Sequence, residues 1–400
     1  MSDVARPLGG RIFTPGFVVL LALAGVSGVL ILVRVFGGVG SITAMTDGYP
    51  WGIWKPLNVV TFTGVAAGAY GIGLLCYVLN RGKYHPLVRP AVLVGALGYS
   101  LAGFSVLVDL GRWWNAWKLG EFWYFNLNSV LLEVAICVLT YVGVLWVEVT
   151  PAILESWQSS RSSRLRRVAA KGLPFMKKAF PFIIALAILL PTMHQSSLGS
   201  LYLVAIYKLH PLWLTPLLPL LFLLSCLTMG YGGVIIMDTL LAVAYPTYRR
   251  DVKLSASVSK VAAAMLWVYV AIRVADLAWH SRLGLLFTSG WKSFFFWLEI
   301  ALFVIPALLL GNPHRRRDPG ILFRAALLTV MGGSLYRFDT YLVGYDPGPG
   351  WSYFPSVNEL LVSIGLASAG IAVFVFAAKK FPILSAGPAH GVRKPAQSTP

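Results

Sequence analysis

Five residues capable of proton chemistry fall within or at the edges of apolar stretches of the sequence: Glu133, Tyr99, His194, Asp238 and Arg89. A charged side chain near the middle of a lipid-spanning helix costs at least ~2.5 kcal/mol, so each needs a partner or a task. Glu133 is the most exceptional, about eight residues into its apolar segment and hence ~12 Å deep at about 1.5 Å per residue. Ordered by depth, Arg89, Asp238, Tyr99, Glu133 and His194 read as a ladder for protons, because ionisable groups at such sites are the usual carriers in proton relays. The alternative is that they are buried groups paired to hold helices together. Glu299, at a similar depth, is a second candidate acid. Arg273 and Asp276, three apart, are expected to pair on one helix face.

A second group lies in TDGYPWGIWKPLNVVTFTGVAAGAY, residues 46–70. Pro56 suits a first helical position, which leaves the positive helix end, the Lys55 ammonium and the Asn58 amide together just below a membrane surface. These donors suit an oxygen that gains negative charge in an aromatic-rimmed, amphipathic setting, as a quinone head group does. Simple interfacial anchoring is the plainer reading. Gly64 and Gly68, four apart, have the spacing that lets helix backbones touch.

The elements that position these residues follow from composition. The chain has 400 residues, 57% hydrophobic and 12% charged, against about a quarter charged in soluble domains. This is the composition of an all-α integral membrane protein. Ten segments reach the roughly 20 apolar residues needed to span a bilayer: 15–36, 56–79, 88–110, 125–148, 177–193, 212–243, 257–279, 292–310, 320–338 and 356–378. The first is expected to be retained as a helix, since no small-residue cleavage site follows it. An even count puts both termini on one side, and that side carries 23 Lys/Arg against 6 on the other. The positive-inside rule makes it cytoplasmic. Residues 1–14 and 379–400 are then a cytoplasmic N-terminus and an unstructured cytoplasmic tail flanking a membrane domain over 15–378.

Charge and side-chain chemistry exclude several functions. The net charge of +18 sits in the gaps between apolar runs, which indicates topology and anionic lipid, not nucleic acid. Cys76, Cys137 and Cys226 are isolated within apolar segments, so no iron–sulfur cluster or zinc site is encoded. The six histidines fall at segment ends or in loops and offer no pair of axial haem ligands. Tryptophans crowd the opposite loops, notably DLGRWWNAWKLGEFWYFN and VGYDPGPGWSYFPSVNE. An aromatic belt accounts for much of this, but the Gly, Pro and charge content marks these loops as a working and docking face.

The motifs WGIWKPLN and FTGVAAGAYG, then DLGR at Asp109 to Arg112, then PTMHQSSLGS at Pro191 to Ser200, taken in this order with ten spans, resemble the NrfD/PsrC (polysulfide reductase) family, most closely its HybB-type hydrogenase-associated members. The resemblance runs from about residue 10 to 380. It implies two four-helix bundles, about 56–193 and 212–338, with the first and tenth helices outside them. It also implies menaquinone or ubiquinone held near the periplasmic face by Lys55, Asn58, Asp109, Arg112 and His194, with no haem. Electrons would pass through a periplasmic, ferredoxin-like iron–sulfur subunit from nickel–iron hydrogenase large and small subunits. Glu133, Tyr99, His194, Asp238 and Arg89 match the positions implicated in proton transfer. Trp113 stands where many relatives have Pro, which alters the loop after DLGR. Alternatives are a polysulfide, nitrite, molybdoenzyme or quinol-oxidising complex and, from another class, a proton-coupled secondary transporter.

Overall fold

The computed structural model describes residues 5–49, 51–248 and 250–385. Ten helices are long and apolar enough to cross a membrane: α1 Pro15–Gly37, α2 Lys55–Val78, α3 Gly82–Asp109, α4 Val130–Gln158, α5 Ser163–Val204, α6 Leu218–Ala244, α7 Val252–Trp279, α8 Trp291–Gly311, α9 Pro319–Val343 and α10 Val357–Lys380. Their starts are written locally. Thr14, Ser129, Asp251, Asp318 and Ser356 each accept a hydrogen bond from a first-turn amide, which satisfies donors that a helix leaves open.

Burial separates the helices into a centre and a periphery. In α2, 78% of the most apolar stretch is buried, against 11% in α1. The small residues of α2 explain its place: Gly68 and Gly230 of α6 lie where an added Cβ would come within 3.0 Å of facing backbone. Helices α2 to α5 pack on one another, as do α6 to α9, while α6 touches both α2 and α5. The first helix packs mainly on the last. Strand β1 (Ala5–Arg6) pairs antiparallel with β2 (Leu384–Ser385), so the segments before α1 and after α10 meet on one face. We call this the terminal face and the other the far face.

Several boundaries differ from the sequence reading; α3 starts at Gly82 and not at 88, and α6 at Leu218 and not at 212. Residues 126–129 form a hydrogen-bonded turn, in which Asn128 N–H and Ser129 N–H both reach back to Asn126, so α4 starts at Val130 and not at 125. The fifth helix is 42 residues long, about 63 Å at 1.5 Å per residue, far beyond the expected 177–193 and longer than the roughly 40–45 Å of a bilayer with its head groups. Lys379 and Lys380 complete α10, and β2 occupies the next part of the expected tail; residues 386–400 lie outside the described ones.

Candidate functional site

At the far face, the chain before α2 is fastened to the start of α10. The Glu359 carboxylate is fully buried and accepts bonds from Ala44 N–H (3.1 Å), the Tyr353 hydroxyl (2.8 Å) and Ser356 N–H (2.8 Å). Tyr353 in turn accepts from Ile53 N–H at 2.6 Å, and the Trp54 indole donates to the Glu359 carbonyl at 3.0 Å. Burial and the adjacent Glu359 push the Tyr353 phenol well above its ordinary pKa, so it remains a donor. This frame sets Lys55 at the mouth of α2, whose first seven residues, Lys55–Thr61, are wound as a wide π turn, a feature common at functional sites.

Lys55 Nζ meets Asp109 Oδ2 of α3 at 2.7 Å, and the lysine stays 28% exposed while the acid is 3% exposed. One turn deeper on each helix, Asn58 Nδ2 donates to Ser105 Oγ at 3.0 Å. Asp109 Oδ1 and Asn58 Oδ1 are buried with no partner. The result is an ammonium with open valence beside two unused acceptors. Lys55, Asn58 and Asp109 are thus brought together. Arg112 is exposed on the following loop and forms no ion pair among the described residues.

His194 sits deeper, on α5, fully buried with both ring nitrogens unpartnered. Its ring faces Tyr99 at 5.7 Å between centroids. Gln195 Nε2 donates to Tyr99 Oη and Thr63 Oγ1, each at 3.2 Å. Arg337 of α9, also fully buried, donates to Val60 O, Ser225 Oγ and Gly333 O, and reaches Gln195 Oε1 at 3.5 Å. One turn beyond His194, Ser197 donates to Glu133 Oε1 at 2.7 Å. Because α4 starts at Val130, Glu133 lies in its first turn and is exposed, not ~12 Å deep as the helix rise implied for a start at 125.

The remaining two ladder residues are committed elsewhere. Asp238 accepts bonds from Tyr248 Oη (2.7 Å), Arg250 Nε (3.0 Å) and Ser255 Oγ (2.6 Å). Arg89 forms a two-pronged pair with Glu155 at 2.7 and 2.8 Å and also donates to Pro382 O. Arg273 does not pair with Asp276. It approaches Glu299 Oε1 on α8 at 3.5 Å, while Asp276 takes Thr215 Oγ1 at 2.6 Å and faces His280 at 3.3 Å. A partner on the facing helix outcompetes one on the same helix because Glu299 is also held by Trp213 and Tyr269.

Sequence reasoning missed Gln195, Ser197 and Glu148. Gln195 and Ser197 lie inside the quoted PTMHQSSLGS stretch, where a polar run within an apolar segment was the available signal. Glu148 falls at the expected end of the fourth segment; in the structure α4 continues ten residues further, to Gln158.

Residues 41–345 match the family described as polysulphide reductase, NrfD, and the chain belongs to that family of multi-helical membrane subunits. It is 37% identical over 388 residues, 96% of each chain, to the probable Ni/Fe-hydrogenase 2 b-type cytochrome subunit of Escherichia coli. It is 28% identical to the menaquinone reductase integral membrane subunit of Nitratidesulfovibrio vulgaris, covering 86% of this chain and 85% of that one. The chain is therefore related to membrane subunits of oxidoreductase complexes. The first relative's description invites a haem test. Among the described residues, His194 is the one histidine buried within a spanning helix; His85 and His314 are exposed, and His210 and His280 lie in far-face loops. The described residues do not supply a facing pair of axial imidazoles.

Proposed function

We propose that this chain is the quinone-reactive membrane subunit of a respiratory hydrogenase complex in the bacterial inner membrane. The Lys/Arg bias supports a cytoplasmic terminal face and a periplasmic far face. The helix contacts support two four-helix bundles, α2 to α5 and α6 to α9, with α1 and α10 outside. Electrons from nickel–iron hydrogenase subunits pass through a periplasmic iron–sulfur subunit docked on the far-face loops, and menaquinone or ubiquinone is the acceptor.

The observation that carries this reading is the Lys55–Asp109 pair with its unused acceptor oxygens at the head of α2. Lys55 would donate to the quinone carbonyl, while Asp109 Oδ1 and Asn58 Oδ1 accept the hydroxyl hydrogens of the quinol. Arg112, on the rim, would attract the docked subunit or the head group. Reduction takes up two electrons and two protons. Glu133, Ser197, His194 and Tyr99 are arranged to conduct those protons. Arg89 and Asp238, paired with other groups, fasten the terminal face.

Glu133→Gln in the purified complex tests the reading. Quinone reduction is expected to fall while dye-linked hydrogen oxidation stays intact. Unchanged quinone turnover removes Glu133 from the path. The menaquinone reductase relative supports a second reading with a different donor enzyme on the same site; identifying the subunits that co-purify distinguishes the two.

A further inference from the structure

The relay described above stops at Tyr99, and the two residues first expected to continue it toward the terminal face are both paired with other groups. Glu148 on α4 lies in the interval they leave. It is 18 residues past the start of α4 at Val130, about 27 Å along the axis at 1.5 Å per residue. It is partly buried and makes no hydrogen bond or ion pair among the described residues. An intramembrane acid with no ion partner is a candidate functional group.

The surroundings of Glu148 are built for one small polar guest. Glu148 lines a cavity with Tyr70, Tyr77 and Tyr141, and the free volume is about 10 Å³, room for about one water. The Tyr141 hydroxyl is fully buried and has no partner; Tyr70 shares its hydroxyl with Thr192 at 2.8 Å. The other elements packed there contribute Val88 and Val92 from α3 and Ile184, Ala187 and Ile188 from α5, so no charged group faces the acid across the cavity.

Aromatic packing leads from the cavity wall to the relay. Tyr141 packs edge-on against Tyr99 at 4.6 Å, and Tyr99 against His194 at 5.7 Å. In the other direction Tyr77 meets His85 at 5.5 Å, and His85 is exposed at the terminal-face start of α3.

We propose that Glu148 is the relay acid of the terminal-face half of the membrane, passing protons through one water in this cavity to the Tyr141 hydroxyl. The carboxyl O–H breaks as the water oxygen accepts, the water gives a different hydrogen to the Tyr141 oxygen, Tyr141 gives its own hydrogen to the Tyr99 oxygen, and Tyr99 gives its own to the free lone pair of the His194 imidazole, from which the quinone takes it. The carboxylate is then reprotonated from the terminal face. No net charge is left behind and no redox partner is needed.

This inference rests on the proton relay proposed above, and the test separates the two. The intact complex is reconstituted in proteoliposomes of one orientation, and hydrogen-driven quinone reduction is measured beside dye-linked hydrogen oxidation. Glu148→Gln is expected to slow quinone reduction at least tenfold and to flatten its response to pH on the terminal-face side, with dye reduction intact. Glu148→Asp should restore part of the rate. Tyr141→Phe removes a hydroxyl that bonds to nothing, so it leaves packing intact and should slow quinone reduction as well. Wild-type turnover in either Glu148→Gln or Tyr141→Phe, with Glu133→Gln impaired, overturns the inference alone. Wild-type turnover in all three overturns the relay itself.

Discussion

Lys55 and Asp109 join the start of α2 to the end of α3 through a 2.7 Å ion pair that is open to the surface on the lysine side only. The geometry gives the ammonium two tasks, holding the acid and facing outward. A charge-assisted hydrogen bond is worth about 1.5–3 kcal/mol, so Lys55→Met is expected to raise the apparent KM for quinone about tenfold or more by that measure. Dye-linked hydrogen oxidation should not change. A quinone titration of the reconstituted complex checks this; an unaltered KM removes Lys55 from the pocket.

Among the described residues Ser197 is the side chain hydrogen-bonded to the Glu133 carboxylate, and its hydroxyl also contacts Met193 O. Ser197→Ala leaves the helix bond network of α5 in place, so its effect reports on the acid. Quinone reduction is expected to fall by less than in Glu133→Gln, and combining the two should cost little more than Glu133→Gln alone, since residues acting as a unit are not additive. Additive losses in the double variant separate the pair.

Asp238 should behave as a structural residue. Its carboxylate is 2% exposed and its Arg250 partner 8%, and removing one member of a buried pair costs about 3–5 kcal/mol. Asp238→Asn is expected to lower the melting temperature of the purified complex while each folded molecule retains most of its quinone turnover. A stable variant with abolished turnover would return Asp238 to the proton path.

His210 gives the far face an acid-sensitive joint. It ties the loop before α6 to the segment after α9 through His210 N–H to Gly344 O at 2.8 Å, and its Nδ1 accepts from Leu212 N–H at 3.3 Å. Burial, with Lys292 nearby and Asp346 opposing, brings its pKa down to about 4 from 6.5. The unfolded chain therefore binds this proton more readily than the folded one, so stability falls as pH drops from 6.5 toward 4. Melting curves across that window should show a shallower decline for His210→Gln than for the parent. Parallel curves would mean His210 does not couple to folding.

Much of this architecture is legible in the sequence because it is set by hydrocarbon thickness. Ten apolar runs give ten helices, and the pairing of the segments before α1 and after α10 agrees with an even count. The mouth of α2 was likewise readable, since Pro56 suits a helix start while Lys55 and Asn58 are costly among apolar neighbours. Depth was not, because it depends on where a helix begins, and Asn126 and Ser129 move that point in α4 by local hydrogen bonds that hydropathy does not register. Pairing across helices was also hidden. Nothing local indicates that Arg273 turns to Glu299 or that Asp238 finds Arg250.

The near-exclusive packing of α1 on α10 has a biosynthetic consequence. Among these ten helices α1 is translated ahead of its chief neighbour by the length of the eight between them, so its α10-facing side stays open to lipid while they are made. Its sequence suits that interval: an almost uninterrupted apolar surface that is at ease among acyl chains, with docking of the final helix as the step that seals the molecule.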